Sequence, residues 1–322
     1  MKLMSTMCLS ALLGCATLTA QAQSRFPERP IVIVVPYPAG GTSDAQVRMI
    51  QVPLEKLLGQ PIIVENKPGA SGALAAVAVA KAKPDGYTLL YPNNGFLIAP
   101  LLNKSAGYDP LKGFAPVSVV TNLPMVLVIN KNEPANDLPE FIKYARSHPQ
   151  GIMYASAGTA SYGHLATTLF SQMAGIKAEH IPYKGEANTT LAVRNGEVSM
   201  LLTSPSSVML GQVKQGNLKL LGVASAKPSS VVLGVKPIAE TIPGFTAELW
   251  FGLLAPAGTP AAVIDKLNAA VRKVLQDEGI QSKLVASGAL AQSSTPAEFA
   301  NILNAEYGQW ADVISKNNIK SD

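Results

Sequence analysis

Residues 31–44 read IVIVVPYPAGGTSD and residues 152–164 read IMYASAGTASYGH. Each is a short apolar or β-prone run, then a loop of small residues, then a polar opening to a helix. A continuous apolar run that feeds a helix through a glycine turn is the unit of an α/β protein, whose parallel strands are buried on both faces. The start of a helix presents unpaired N–H groups and the positive end of a dipole, which suits an anion. The expectation is that the two starts, near Asp44 and Tyr162, face each other across a cleft and hold one small anion.

The rest of the chain repeats the alternation. A helix is predicted from about Asp44 to Leu58, with Val47, Ile50, Leu54, Leu57 and Leu58 at helical spacing, Pro53 inside it and Gly59 at its end. Strands follow at Ile62–Glu65 and Tyr87–Tyr91, with a small-residue helix at about 73–82 between them. A passage rich in turn signals covers 92–124. A second α/β set then runs from Met125 to Ala224, and the chain closes with a strand at Leu249–Ala255 and helices at 261–278 and 296–316. The second set is thus inserted in the first, joined by two crossings near 122–126 and 246–252, which allows a hinge. The division expected is 1–22 as a targeting segment, 23–124 with 250–322 as one lobe, and 125–249 as the other.

The 322 residues suffice for about two domains. At the N-terminus, Lys2 precedes an apolar stretch at 7–19 and a small-x-small site at Ala20-Gln21-Ala22, which reads as a cleaved export signal. Leu12-Leu13-Gly14 before Cys15 leaves lipid attachment at Cys15 as a second reading. Both cysteines, Cys8 and Cys15, lie in this segment, so a mature chain beginning near Gln23 has no thiol chemistry. The expected product is periplasmic and monomeric. The net charge of +5 comes from scattered residues without a basic run, which argues against nucleic acid as a partner.

Few residues look catalytic. The three histidines, His148, His164 and His180, are not spaced as metal ligands, and no metal or cofactor is expected. His164 falls in the first turn behind the second loop, where it caps the helix, braces the loop or touches a ligand. Asp44 is the one carboxylate in the first loop, and capping is its ordinary role. There is no G-x-S-x-G, no Walker A sequence and no G-x-G-x-x-G. The chain is therefore not expected to be an enzyme. Thr42, Ser43, Ser156, Thr159 and Ser161 add hydroxyls to the loops, and Tyr37 and Tyr162 flank them.

Several ordered motifs carry a resemblance. They are Val34-Val35-Pro36-Tyr37-Pro38-Ala39-Gly40-Gly41, Val64-Glu65-Asn66-Lys67-Pro68-Gly69-Ala70, Lys83-Pro84-Asp85-Gly86-Tyr87, Gly163-His164-Leu165, Pro182-Tyr183-Lys184-Gly185 and Trp250-Phe251-Gly252-Leu253, then Ala255-Pro256-Ala257-Gly258-Thr259-Pro260. Together they resemble the Bug/TctC family, the extracytoplasmic solute receptors of tripartite tricarboxylate transporters. The resemblance implies a type II periplasmic binding protein fold of two α/β lobes that close over a solute. It implies a small carboxylate as ligand, mono- or dicarboxylate and aromatic acids included, and permease subunits as membrane partners. It places Tyr37, Ala39, Gly40, Gly41 and Thr42 on one side of the ligand and Ser156, Gly158, Thr159, Ser161 and His164 on the other, with Asn93 and Asn94 from the loop after Tyr91, and selectivity is expected from cleft size and from Thr203, Asn93 and Tyr162. Where many members of the family carry an aspartate, this chain has Thr203, which weighs against a zwitterionic amino acid because its ammonium would lose a counter-charge. Two other readings stay open: a receptor that reports its ligand to a membrane signalling protein, and, less favoured, an exported hydrolase.

Overall fold

The computed structural model describes Phe26–Lys320, so the export segment and Cys15 lie outside the described residues. The chain opens with β1 (Ile31–Val35), α1 (Thr42–Leu58), β2 (Ile62–Asn66), α2 (Ala73–Ala80), β3 (Thr88–Leu90), α3 (Gly95–Leu102) and β4 (Phe114–Pro124). It continues with β5 (Val126–Asn130), α4 (Leu138–Arg146), β6 (Ile152–Ser156), α5 (Tyr162–Ala174), β7 (Ala178–Pro182), α6 (Glu186–Asn195), β8 (Met200–Thr203), α7 (Ser207–Lys214) and β9 (Leu218–Val223). It ends with β10 (Glu248–Pro256), α8 (Ala261–Leu275), α9 (Glu278–Ala286), β11 (Leu290–Ala291) and α10 (Pro296–Lys316).

These strands form two sheets, in the orders β11-β4-β10-β3-β1-β2 and β7-β6-β8-β5-β9. The apolar run of β1 pairs in parallel with β2 on one side and β3 on the other, and Ile31, Ile33 and Val35 are fully enclosed. Neither sheet is wholly parallel, as the alternation alone suggested. β10 runs antiparallel to β3 and β4, and β5 runs antiparallel to β8 and β9. The reason is the double crossing: a strand that carries the chain out of a sheet must be matched by one that returns in the opposite sense. The passage 92–124 is likewise more ordered than its turn residues suggest, since it holds α3 and the long β4.

Local signals explain the helices. α1 ends at Gly59, whose φ of 72° is left-handed and costs a glycine little. Val47, Ile50, Leu54 and Leu58 face the core, whereas Leu57, expected with them, is 48% exposed because it falls at the edge of the apolar stripe. The segment predicted as one helix over 261–278 is α8 followed by α9, with Asp277 capping the second through Ile280 N–H. α10 begins with a capping box of Thr295 and Glu298 and has Pro296 in its first turn.

α10 ties the two sheets together. It packs on α3 and β4 of the first and on α5 of the second. Phe299 and Leu303 belong to a core cluster of the first sheet, whereas Trp310 and Val313 belong to the core of the second. Beneath it, β10 shifts register against β4 between Phe251 and Gly252. A Cβ on Gly252 would stand 2.5 Å from Phe299 Cζ and 2.9 Å from Ser118 O. Gly252→Ala is therefore expected to lower stability by about 2–3 kcal/mol, since overpacking must displace a buried ring or a strand. A urea titration checks this, and an unchanged midpoint would show that Phe299 moves aside freely.

Candidate functional site

Two adjoining cavities lie where the sheets meet. The first, of about 310 Å³, is bordered by Thr42 and Ser43 at the start of α1, by Glu186 at the start of α6, and by Ser204 and Ser206 before α7. The second, of about 550 Å³, is bordered by Thr159, Ser161 and Tyr162 around the start of α5, with Ser71, Ile98 and Leu102 from the other sheet's side. Tyr37, Asn93 and Leu249 border both. The two glycine loops thus meet through Tyr37, but each opens mainly into its own compartment.

The partition between the compartments is held rigidly. Tyr37 Oη donates to Asn93 Oδ1 at 2.5 Å, and Gly95 N–H donates to the same oxygen at 2.9 Å. Asn66 Nδ2 donates to the Tyr37 carbonyl at 3.1 Å. Burial pushes the Tyr37 phenol well above its ordinary range, so it remains a protonated donor.

The first loop is braced from within. Gly40, in a left-handed conformation at φ 79°, donates its N–H to Asp44 Oδ2 at 2.9 Å, and Gly41 donates to Pro38 O. Arg48 bonds to the Asp44 carboxylate at 3.0 Å and holds its carboxyl below the usual range. Asp44 therefore ties the helix back to the loop rather than capping the first-turn amides. No side chain caps α1 at Gly41, and the first two residues of the helix, Thr42 and Ser43, border the first cavity.

The second loop is braced by histidines. The Ser161 side chain caps α5 through His164 N–H, and Ala160 N–H donates to His164 Nδ1 at 3.0 Å. His164 and His180 stack with ring centroids 3.7 Å apart. Burial, with the His180 charge, brings His164 down to about 4, so it is neutral at ordinary pH. Through the Ala160 N–H it ties the loop to the first turn of α5. Ser156 Oγ lies 2.6 Å from His180 Nε2, a contact that superficially resembles a nucleophile and its base. However, that hydroxyl donates to Gly158 O at 2.8 Å, and Ser156 is 1% exposed. The Ser156 hydroxyl is thus enclosed within the loop, between His180 and the Gly158 carbonyl.

The structure sorts the expected residues as follows. Tyr37, Thr42, Asn93, Thr159, Ser161 and Tyr162 border a cavity. Ala39, Gly40, Gly41, Ser156, Gly158 and His164 shape the loops without bordering one. Asn94 is fully buried and bonds to Glu306, to the Glu248 carbonyl and to Trp250 N–H. Thr203 is 5% exposed at the end of β8, paired with Val126, and also borders neither. Sequence reasoning missed Glu186, Ser204, Ser206 and Ser71. Glu186 directly follows the Tyr183-Lys184-Gly185 motif, the one signal that could have found it.

Among the described residues no lysine, arginine or histidine borders either cavity. Among the described residues no group of three or more His, Cys, Asp or Glu could hold a metal ion. An anion entering here meets hydroxyls, the amide side chains of Asn93 and Asn103 and one carboxylate, Glu186.

Two mixed α/β lobes joined by a double crossing, with a cleft between them, define a type II periplasmic binding protein. The chain belongs to the tripartite tricarboxylate transporter receptor family, TctC, whose model matches residues 46–319. It is 33% identical over 298 residues to protein BugT of Bordetella pertussis, covering 92% of this chain and 91% of that one. A Rhodopseudomonas palustris protein solved with adipate is 32% identical, with a TM-score of 0.74 over 92% of this chain and 99% of that one. MatC of the same species, solved with bound malate, is 34% identical, with a TM-score of 0.69 over 90% of this chain and 100% of that one.

Proposed function

We propose that this protein is a periplasmic receptor that captures a small carboxylate, mono- or dicarboxylate, and delivers it to the permease subunits of a tripartite tricarboxylate-type transporter. The observation that carries the reading is the uncapped start of α1 beside a cleft lined, among the described residues, by hydroxyls, two amide side chains and Glu186 but by no basic side chain. The relatives solved with adipate and malate support the ligand class. The lobes expected at 23–124 with 250–322 and at 125–249 would hinge at the two crossings. Because a ligand touches both lobes only when they are closed, its binding energy favours closure. No covalent step is required.

A thermal-shift screen of the chain from Gln23 against carboxylic acids tests this. A ligand that binds only the folded form raises the melting temperature. Failure of every carboxylate to do so overturns the reading. Gly41→Val is expected to weaken the best ligand at least about tenfold, near 1.4 kcal/mol. A Cβ there already stands 3.3 Å from Pro38 O, so the larger side chain pushes the loop off the start of α1. Unchanged affinity by calorimetry would remove the loop from the site.

A further inference from the structure

We infer that Glu186 is the charge filter of the cleft, selecting solutes that carry one carboxylate and, at their other end, an ammonium or hydroxyl donor over solutes with two carboxylates. The inference rests on the reading above that the cleft binds a carboxylate.

Glu186 is the first residue of α6 and follows Gly185, which supplies no side-chain cap. It borders the first cavity together with Thr42 and Ser43, which come from the other sheet's side. Apart from Tyr37, it is the only ionisable residue among the described ones that borders that cavity, and Tyr37 stays protonated. None of the ion pairs among the described residues involves Glu186. The hydrogen bonds it makes outside the helix ladder pass through its carbonyl, which accepts from the hydroxyls of Thr189 and Thr190. The residue is exposed overall, and partial loss of hydration where its carboxyl meets the cavity, with no cation beside it, holds that carboxyl above the usual range.

This arrangement gives the cavity two unlike ends. At one, the amides of α1 have no side-chain cap and attract an anion. At the other, the N-terminus of α6 already has a negative charge of its own in Glu186. A second carboxylate on the ligand would therefore meet a like charge in a cleft from which binding expels water, where repulsion is stronger than in bulk. An ammonium or hydroxyl at the same place would give Glu186 the partner it lacks. Thr203, where a carboxylate was sought from the sequence, is buried away from the cavity.

The test measures binding by calorimetry of three series of matched chain length: ω-amino acids, ω-hydroxy acids and α,ω-dicarboxylates. Wild-type protein is compared with Glu186→Gln, which keeps the size of the side chain. The expected result is that wild type binds the best amino or hydroxy acid at least about tenfold more tightly than the dicarboxylate of equal length, and that Glu186→Gln narrows this ratio by about tenfold or more. Melting curves of both unliganded proteins confirm that the variant folds. Binding with the same ratio in both proteins overturns the inference and leaves the carboxylate reading standing. No binding of any series to either protein overturns the carboxylate reading itself.

Discussion

Trp310→Ala is expected to lower the unfolding free energy by about 3–5 kcal/mol, the largest loss of any single truncation proposed for this protein. Trp310 is 1% exposed and lies in the part of α10 that enters the core of the second sheet. Its ring stands edge-on to Tyr162 with centroids 5.2 Å apart, and its Nε1 donates to Glu306 Oε2 at 3.4 Å. Truncation leaves a cavity between elements seated on different sheets, which cannot close by a small local shift. The damage reaches the site, because Tyr162 borders the second cavity and donates its hydroxyl to the Glu248 carbonyl at 3.0 Å. Urea unfolding read by circular dichroism measures the loss. Trp310→Phe keeps most of the volume and is expected to cost less than half as much. A loss below about 1 kcal/mol for the alanine variant would mean that the end of α10 is not packed as described.

Glu306→Gln is expected to change how stability depends on pH. Glu306 Oε2 accepts from Asn94 Nδ2 at 2.6 Å, Trp250 Nε1 at 3.1 Å and Trp310 Nε1. Burial pushes its carboxyl up to about 7, above the ordinary value of 4.5, although these donors pull the other way. A raised carboxyl means that the folded protein holds a proton that the unfolded chain releases. Stability therefore falls as pH rises from about 4.5 to about 7, is unaffected by this group below that window, and is constant above it. The shift corresponds to roughly 3 kcal/mol across the window. Glutamine keeps an oxygen for the three donors and has no proton to lose, so the variant lacks this fall. The difference between the two proteins is the quantity to measure, since Glu248 is also raised by burial while Asp44 is lowered by Arg48, and both are present in each. Parallel pH profiles for wild type and variant would show that Glu306 does not titrate in that range.

Much of the fold was legible because its signals are local. The run IVIVV is a strand enclosed on both faces, and Gly59, Thr295 and Pro296 mark helix ends by backbone freedom and capping that need no distant partner. Tyr37 and Tyr162 flank loops that precede helices, and both border a cavity. Less legible was which amides remain open. Gly40 and Gly41 read as anion-binding amides, yet Asp44 and Pro38 occupy them, and only three-dimensional geometry shows it. Asn94 and Asn93 are adjacent in the chain but part ways: one is buried on Glu306 while the other divides the cavities.

From the sequence alone came the alternation of strands and helices, the insertion of one α/β set in another and the positions of the two glycine loops, because hydrophobic period and glycine conformation act over a few residues. Only the tertiary structure decided that these loops open into different compartments, that Glu186 rather than Thr203 faces the first of them, and that α10 joins both cores. Those features depend on the register of β10 against β4 and on where the crossings set one sheet against the other. Contacts between residues so far apart along the chain leave no periodic trace in it.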